Sequence, residues 1–187
     1  MFRAGWVLGL AIALGACGDD GGDPDASTGP DATETPGLVE LGQGTVDWAP
    51  VAADATMEIF AGPQGGHHFI VHGRVKDMIP GDPTMPGLLG NPITRFSAYT
   101  TGDNPHQVDM NLPPYRLGYE DGGDGFFYLA SGRLLILEEA EVEALYDTEV
   151  ELVLYVEDAS GVASRDERVV MAVESTEIPD GPDAGAL

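Results

Sequence analysis

Two groups of side chains in this sequence are of types that could do chemistry. His67, His68, His72 and His106 carry the imidazoles that zinc and copper take. Glu120, Asp121 and Asp124 carry the carboxylate oxygens that calcium takes. Spacing limits the first group. Adjacent residues on a strand point to opposite faces, so His67 and His68 diverge. His68 and His72 share a face but lie about 13 Å apart at strand rise. A metal with bonds near ~2 Å joins them only across a bulge or through another element such as His106. Upstream, Gly62-Pro63-Gln64-Gly65-Gly66 makes a tight turn that feeds the strand. Gln64, His67, His68 and His72 are therefore the candidate binding residues. The competing reading is a turn whose side chains hydrogen-bond its own backbone.

The acidic run Glu120-Asp121-Gly122-Gly123-Asp124-Gly125 offers three carboxylates in a glycine-rich loop. It lacks the EF-hand spacing. Its competing reading is an Asp-Gly hairpin turn leading into Phe126. Phe126, Phe127 and Tyr128 offer rings for stacking on a sugar, but alternation sends Phe127 to the face opposite its neighbours. Signatures of catalysis are missing from the chain: no G-x-S-x-G, H-E-x-x-H, phosphate loop or C-x-x-C occurs. Acidic residues are plentiful enough for a glycosidase pair, yet nothing in the spacing selects one.

The elements that must position these residues are strands. Short alternating runs are interrupted by Gly, Pro and Asp, and helical periodicity is almost absent. The predicted strands are 38–41, 45–48, 56–60, 68–75, 94–100, 107–112, 126–130, 133–137, 149–157 and 163–175. The clearest is 149–157, where Val150, Leu152, Leu154 and Val156 share one face and Glu149, Glu151 and Glu157 the other. Asp158-Ala159-Ser160-Gly161 then turns the chain, and Val169, Met171 and Val173 are the expected inward row of the returning strand. One short helix is expected within 138–147, with Val142, Leu145 and Tyr146 on its apolar side. Residues 78–92 are rich in Pro and Gly and read as a long surface loop outside the strands. The hairpin around Asp158 is similar to the final hairpin of bacterial immunoglobulin-like and cadherin-like modules. That resemblance implies an all-β, immunoglobulin-like antiparallel β-sandwich over 38–178.

Charge narrows the partners. The 187-residue chain holds 8 Lys and Arg against 32 Asp and Glu, a net charge of −24. Such a surface repels nucleic acid and anionic lipid. With a single cysteine, Cys17, no intramolecular disulfide is available, and stability must come from the core.

Cys17 also sets the expected location. Arg3 precedes an apolar run from Gly5 to Ala16, too short to span a bilayer, and acidic residues begin at Asp19. That is the layout of a secretory signal peptide over 1–16. Leu14-Gly15-Ala16-Cys17 resembles the lipobox of bacterial lipoproteins. The resemblance implies acylation of the Cys17 sulfur, cleavage before it, and attachment to membrane lipid by several acyl chains, enough for stable anchoring. Gly18, in place of an Asp, points under that family's sorting pattern to the outer membrane or cell surface. Residues 18–37 repeat Pro-Asp-Ala and carry no basic or aromatic side chain, so a disordered acidic linker is expected, with a similar tail over 179–187. The Gly62–His68 stretch is similar to a GPQGG-x-H segment of uncharacterised bacterial lipoproteins, with His67 as a departure. The functional expectation is a non-catalytic, membrane-anchored binding or structural module without a cofactor, its protein or glycan partner unspecified. The alternatives are a metal-binding lipoprotein, using calcium or zinc or copper, and a glycan-active enzyme.

Overall fold

The computed structural model describes residues 37–52, 54–62 and 65–176. The predicted signal peptide, Cys17, the acidic linker before Gly37, Gln64 and the tail 179–187 lie outside the described residues. Eleven strands and one helical turn follow in order: β1 (Leu38–Gln43), β2 (Ala49–Pro50), β3 (Thr56–Ala61), β4 (His67–Lys76), β5 (Ile93–Thr100), β6 (Tyr115–Arg116), β7 (Glu120–Asp121), β8 (Phe127–Tyr128), β9 (Arg133–Ile136), α1 (Val142–Leu145), β10 (Thr148–Glu157) and β11 (Ala163–Glu174). The expected all-β class is what the chain adopts.

β10 forms as its alternation demands. Val150, Leu152, Leu154 and Val156 are completely buried, between β5 on one edge and β11 on the other. Its partner strand differs from expectation. Glu157 pairs with Ala163 across the turn, so Val170 stands opposite Val150 and Ala172 opposite Thr148. Val170 and Ala172 therefore point inward, while Val169 and Met171 point outward and are 43% and 37% exposed. Loop length sets the parity of a hairpin, and here it overrides the more apolar row. Asp158 closes that loop. Its Oδ1 accepts from Ser160 N at 2.8 Å, Ser160 Oγ at 2.6 Å and Val162 N at 3.0 Å, while its Oδ2 accepts from Ile79 N at 2.8 Å.

β4 is the centre of the other layer. β1 and the end of β3 pair with one of its edges, β9 and β8 with the other. Its odd-numbered residues Phe69, Val71 and Val75 face the core together with Val39 and Leu41 of β1. The two layers approach tightly at Gly73, where an added Cβ would lie 2.8 Å from Leu154 Cδ2. β1 is also stitched to the opposite layer: Asp166 Oδ2 of β11 accepts from Leu41 N at 2.7 Å.

The pairing differs from the expected antiparallel sandwich in two ways: one strand pair is parallel, and bridges at residues 107–109 join the layers on the other side. β3 pairs in parallel with β11 over Thr56–Ile59, then antiparallel with β4 at Phe60 and Ala61. On the other side, Asp109 bridges Leu137 and Gln107 bridges Tyr99. Main-chain pairing thus runs from β3 through β4, β9, residues 107–109, β5, β10 and β11 back to β3, giving a curled mixed sheet. Buried Asp109 holds that seam, accepting from Ala98 N at 2.8 Å and Asn111 N at 3.0 Å.

The expected strand 107–112 is reduced to those two bridges. Asn111 adopts φ 45°, and Pro113-Pro114 follow without donors. The expected strand 45–48 is a turn entered through Gly44 at φ 118°, and pairing resumes only at β2. The helix is one turn long and buries Val142 and Leu145. The loop 78–92 contains no strand, as expected. It is built around buried Asn91, whose Oδ1 accepts from Asp82 N at 2.7 Å and whose Nδ2 donates to Met85 O at 2.9 Å.

Candidate functional site

The outward face of β4 carries His68, Ile70, His72, Arg74 and Lys76, the even-numbered residues. Neighbouring turns fold over it. Trp48 swings back from the 44–48 turn and lies against Gly42, where an added Cβ would overlap the indole. Its buried Nε1 has no hydrogen-bond partner. The Arg74 guanidinium lies 3.8 Å from the Trp48 ring centre and 3.9 Å from that of Phe126. Gly42, Trp48, Arg74 and Phe126 thus form one stack standing on the sheet, with a cation between two π faces. Charge closes it sideways. Arg74 Nε donates to Glu40 Oε2 at 2.7 Å and Nη1 donates to Tyr128 Oη at 3.0 Å, while Tyr128 Oη donates to Asp124 Oδ2 at 2.6 Å. Asp124 holds the Tyr128 hydroxyl above its usual pKa, and that hydroxyl with Phe126 N holds the Asp124 carboxyl below its own.

His72 sits beside this stack. Gly73 N donates to its Nδ1 at 3.0 Å, which leaves the proton on Nε2, 3.3 Å from Val46 O. An imidazole accepting at Nδ1 is neutral, and burial keeps its pKa below the ordinary value. Between the 45–48 turn and the β7–β8 hairpin lies an open cleft of about 450 Å³, walled by Trp48 and Tyr128, floored by His72 and rimmed by Asp47, Glu120 and Asp121. Two aromatic walls and three rim carboxylates suit a ligand that presents hydrogen-bond donors and an apolar flank.

The expected calcium ligands form the rim of this cleft rather than a cage. Asp121 Oδ1 accepts from Gly123 N at 2.8 Å and Asp124 Oδ1 from Phe126 N at 3.0 Å. These bonds build the hairpin turn, in which Gly123 and Gly125 adopt φ 75° and 88°. Glu120 stays exposed on β7. Among the described residues, no three His, Cys, Asp or Glu side chains are grouped to hold a metal ion.

The other histidines disperse. His67 Nδ1 lies 3.0 Å from Glu139 Oε2. His68 is buried on the face of β4 opposite His67, in the same row as His72, and stacks on Phe60, ring centres 6.2 Å apart; burial, helped by His67, lowers its pKa. His106 lies 3.1 Å from Thr100 Oγ1 and 3.4 Å from Glu141 Oε2. The Gly62–Gly66 turn is closed by Gly62 N donating to Gly66 O at 2.9 Å. That turn precedes β4 and the 78–92 loop follows it, so roughly 30 Å of strand separates them. Of these three segments, the Glu120–Asp124 hairpin lies along β4, through β8 at Arg74 and Val75, and it brings Glu120 and Asp121 into one cleft with His72.

Phe126 and Tyr128 belong to this face, while Phe127 packs against the core, as alternation requires. Arg74, Trp48 and Glu40 are the components that motif reading passed over. Period two signals Arg74, since it continues the row His68, Ile70, His72. Trp48 has no such signal, because a turn carries it there. Comparison with protein-family models, with curated proteins and with solved structures finds no match for this chain.

Proposed function

We propose that this chain is a lipid-anchored module of the bacterial cell envelope that binds a ligand without converting it. Acylated Cys17 attaches it to membrane lipid, the acidic linker sets the standoff, and the β domain offers the cleft beside β4. We read that domain as an immunoglobulin-like sandwich. The face-to-face approach at Gly73 and Leu154 and the closing β10–β11 hairpin support this reading.

One observation carries the binding reading: Asp121, Asp124, Arg74 and His72, in and beside the cleft, are already engaged by the protein. Asp121 and Asp124 cap backbone amides, Arg74 is stacked and paired, and His72 is bonded at both nitrogens. Such groups hold a rigid shape and present aromatic walls, which suits recognition.

Two measurements test this. Detergent phase partitioning of the native protein is expected to place it in the detergent phase and Cys17→Ser in the aqueous phase; equal partitioning defeats the anchor. A glycan and peptide array probed with the soluble domain is expected to yield ligands whose binding is lost in Tyr128→Ala. Turnover of any array ligand defeats the non-catalytic reading.

A further inference from the structure

The sheet face on the other layer has a different character. The registers of β5, β10 and β11 set Arg95, Tyr155 and Arg165 side by side, then Ser97, Val153 and Glu167, then Tyr99, Glu151 and Val169. All nine point outward. In the middle row Ser97 and Val153 are short, and they floor a saddle of about 150 Å³ bounded by Arg95, Tyr155, Arg165 and Tyr99. Tyr155 and Tyr99 rise two residues to either side of that floor, so the rims stand roughly 13 Å apart. That span admits one pyranose ring.

The cations on this face are not equivalent. Arg165 is paired with Glu167. Elsewhere, Arg74 pairs with Glu40, Arg168 with Asp166, Arg116 donates to Leu89 O, and Arg133 donates to Ser131 Oγ. Among the described arginines, Arg95 alone makes neither an ion pair nor a hydrogen bond. It stands at the end of an aromatic saddle on a chain with 32 acidic residues. The Tyr155 hydroxyl beside it is occupied, donating to Glu157 Oε2 at 2.8 Å. The open valence in the saddle is therefore a guanidinium fork, which matches a carboxylate in a bidentate pair.

We propose that this saddle binds a carboxylated pyranose, a uronic acid residue of an acidic glycan. The carboxylate sits on Arg95 and the ring lies over Ser97 and Val153 between Tyr155 and Tyr99. A neutral hexose lacks the charge that Arg95 recognises. A densely charged anion meets Glu151, Glu157 and Glu167 around the saddle and the net charge behind them. This site is separate from the cleft beside β4, and its failure leaves that cleft untouched.

The test is a two-dimensional amide NMR titration of the soluble domain with tri-galacturonate, a neutral trisaccharide of the same length, and a peptide of residues 24–36. Saturable shifts confined to residues 95–99 and 153–155 are expected with tri-galacturonate, in the micromolar to millimolar range typical of a single-residue contact. Arg95→Ala is expected to weaken binding at least tenfold, Arg95→Lys less, and Arg116→Ala not at all. Tyr99→Ala, on the opposite rim, is expected to weaken it as well. The proposal is overturned by absence of saturable shifts at millimolar ligand, by binding unchanged in Arg95→Ala, or by equal binding of the neutral sugar. Equal binding of the peptide overturns it too, and assigns the saddle to the chain's own acidic linker.

Discussion

The outward faces of β4 and β10 begin from the same strand geometry and end differently. On β4, turns on both sides fold over the face, and Arg74 is held between Trp48 and Phe126. On the β5–β10–β11 face, no described turn folds over, and among the described residues Arg95 has no side-chain partner beside Tyr155. One arginine is an internal strut of the fold; the other is an offered contact. Strand periodicity states only which residues leave the core. Whether they meet solvent or another turn depends on where the connections travel.

Replacing the two arginines separates these roles. Arg74→Ala removes a cation from between two rings and leaves Glu40 without its partner, so a loss of about 2–4 kcal/mol in unfolding free energy is expected. Chemical denaturation checks it. Arg95→Ala should change stability by less than ~0.5 kcal/mol, as an exposed side chain without packing does. Equal losses would erase the distinction between the faces.

Gly42→Ala attacks the stack from beneath. A Cβ there overlaps the Trp48 indole and approaches Ala49 O at 2.7 Å. Displacing the ring is expected to cost about 1–3 kcal/mol, in the range of overpacked sites. The chain has two tryptophans, and one, Trp6, lies in the predicted signal peptide, so fluorescence of the soluble domain reports Trp48 alone. A red-shifted emission is expected in Gly42→Ala and no shift in Arg95→Ala.

Acidification should also act on the β4 layer first. His68 and His72 have folded pKa values below their ordinary value, chiefly through burial. The unfolded chain therefore takes up protons before the folded one, and stability present above about pH 6.5 falls as the pH drops below it. Asp158 adds a second fall. Burial alone would raise its pKa, but the bonds from Ile79, Ser160 and Val162 outweigh that and hold it low. Its contribution is present above the ordinary carboxyl range near ~4 and is lost as the pH falls through its folded value. Melting temperatures across this range should drop in two stages. His72→Gln is expected to shrink the first and Asp158→Asn the second.

Much of the fold was legible because half-buried strands announce themselves. β10, β4 and the one-turn helix carry their burial in their residue pattern, and Asp158-Ala159-Ser160-Gly161 marks its own turn. The inward row of β11 was misread because both rows contain apolar residues and loop parity decided between them. The Thr45–Trp48 run alternates like a strand, yet Gly44 and the seat for Trp48 on Gly42 turn it into a cap. Of the candidate site, His72, Glu120 and Asp121 were legible as residue types worth watching. Their meeting was not, because β4 and β7 are separated by more than forty residues and joined only through β8.

By itself, the amino-acid sequence determined the all-β class, the acidic surface and the alternation that gives β10 its core side, since these depend on neighbours one or two residues apart. Only the tertiary structure decided that the sheet curls through β3 and residues 107–109, that one outward face is roofed while no described turn covers the other, and which of the described arginines is left without a partner. Those outcomes depend on pairings between distant strands, and loop closure and side-chain fit settle such pairings together.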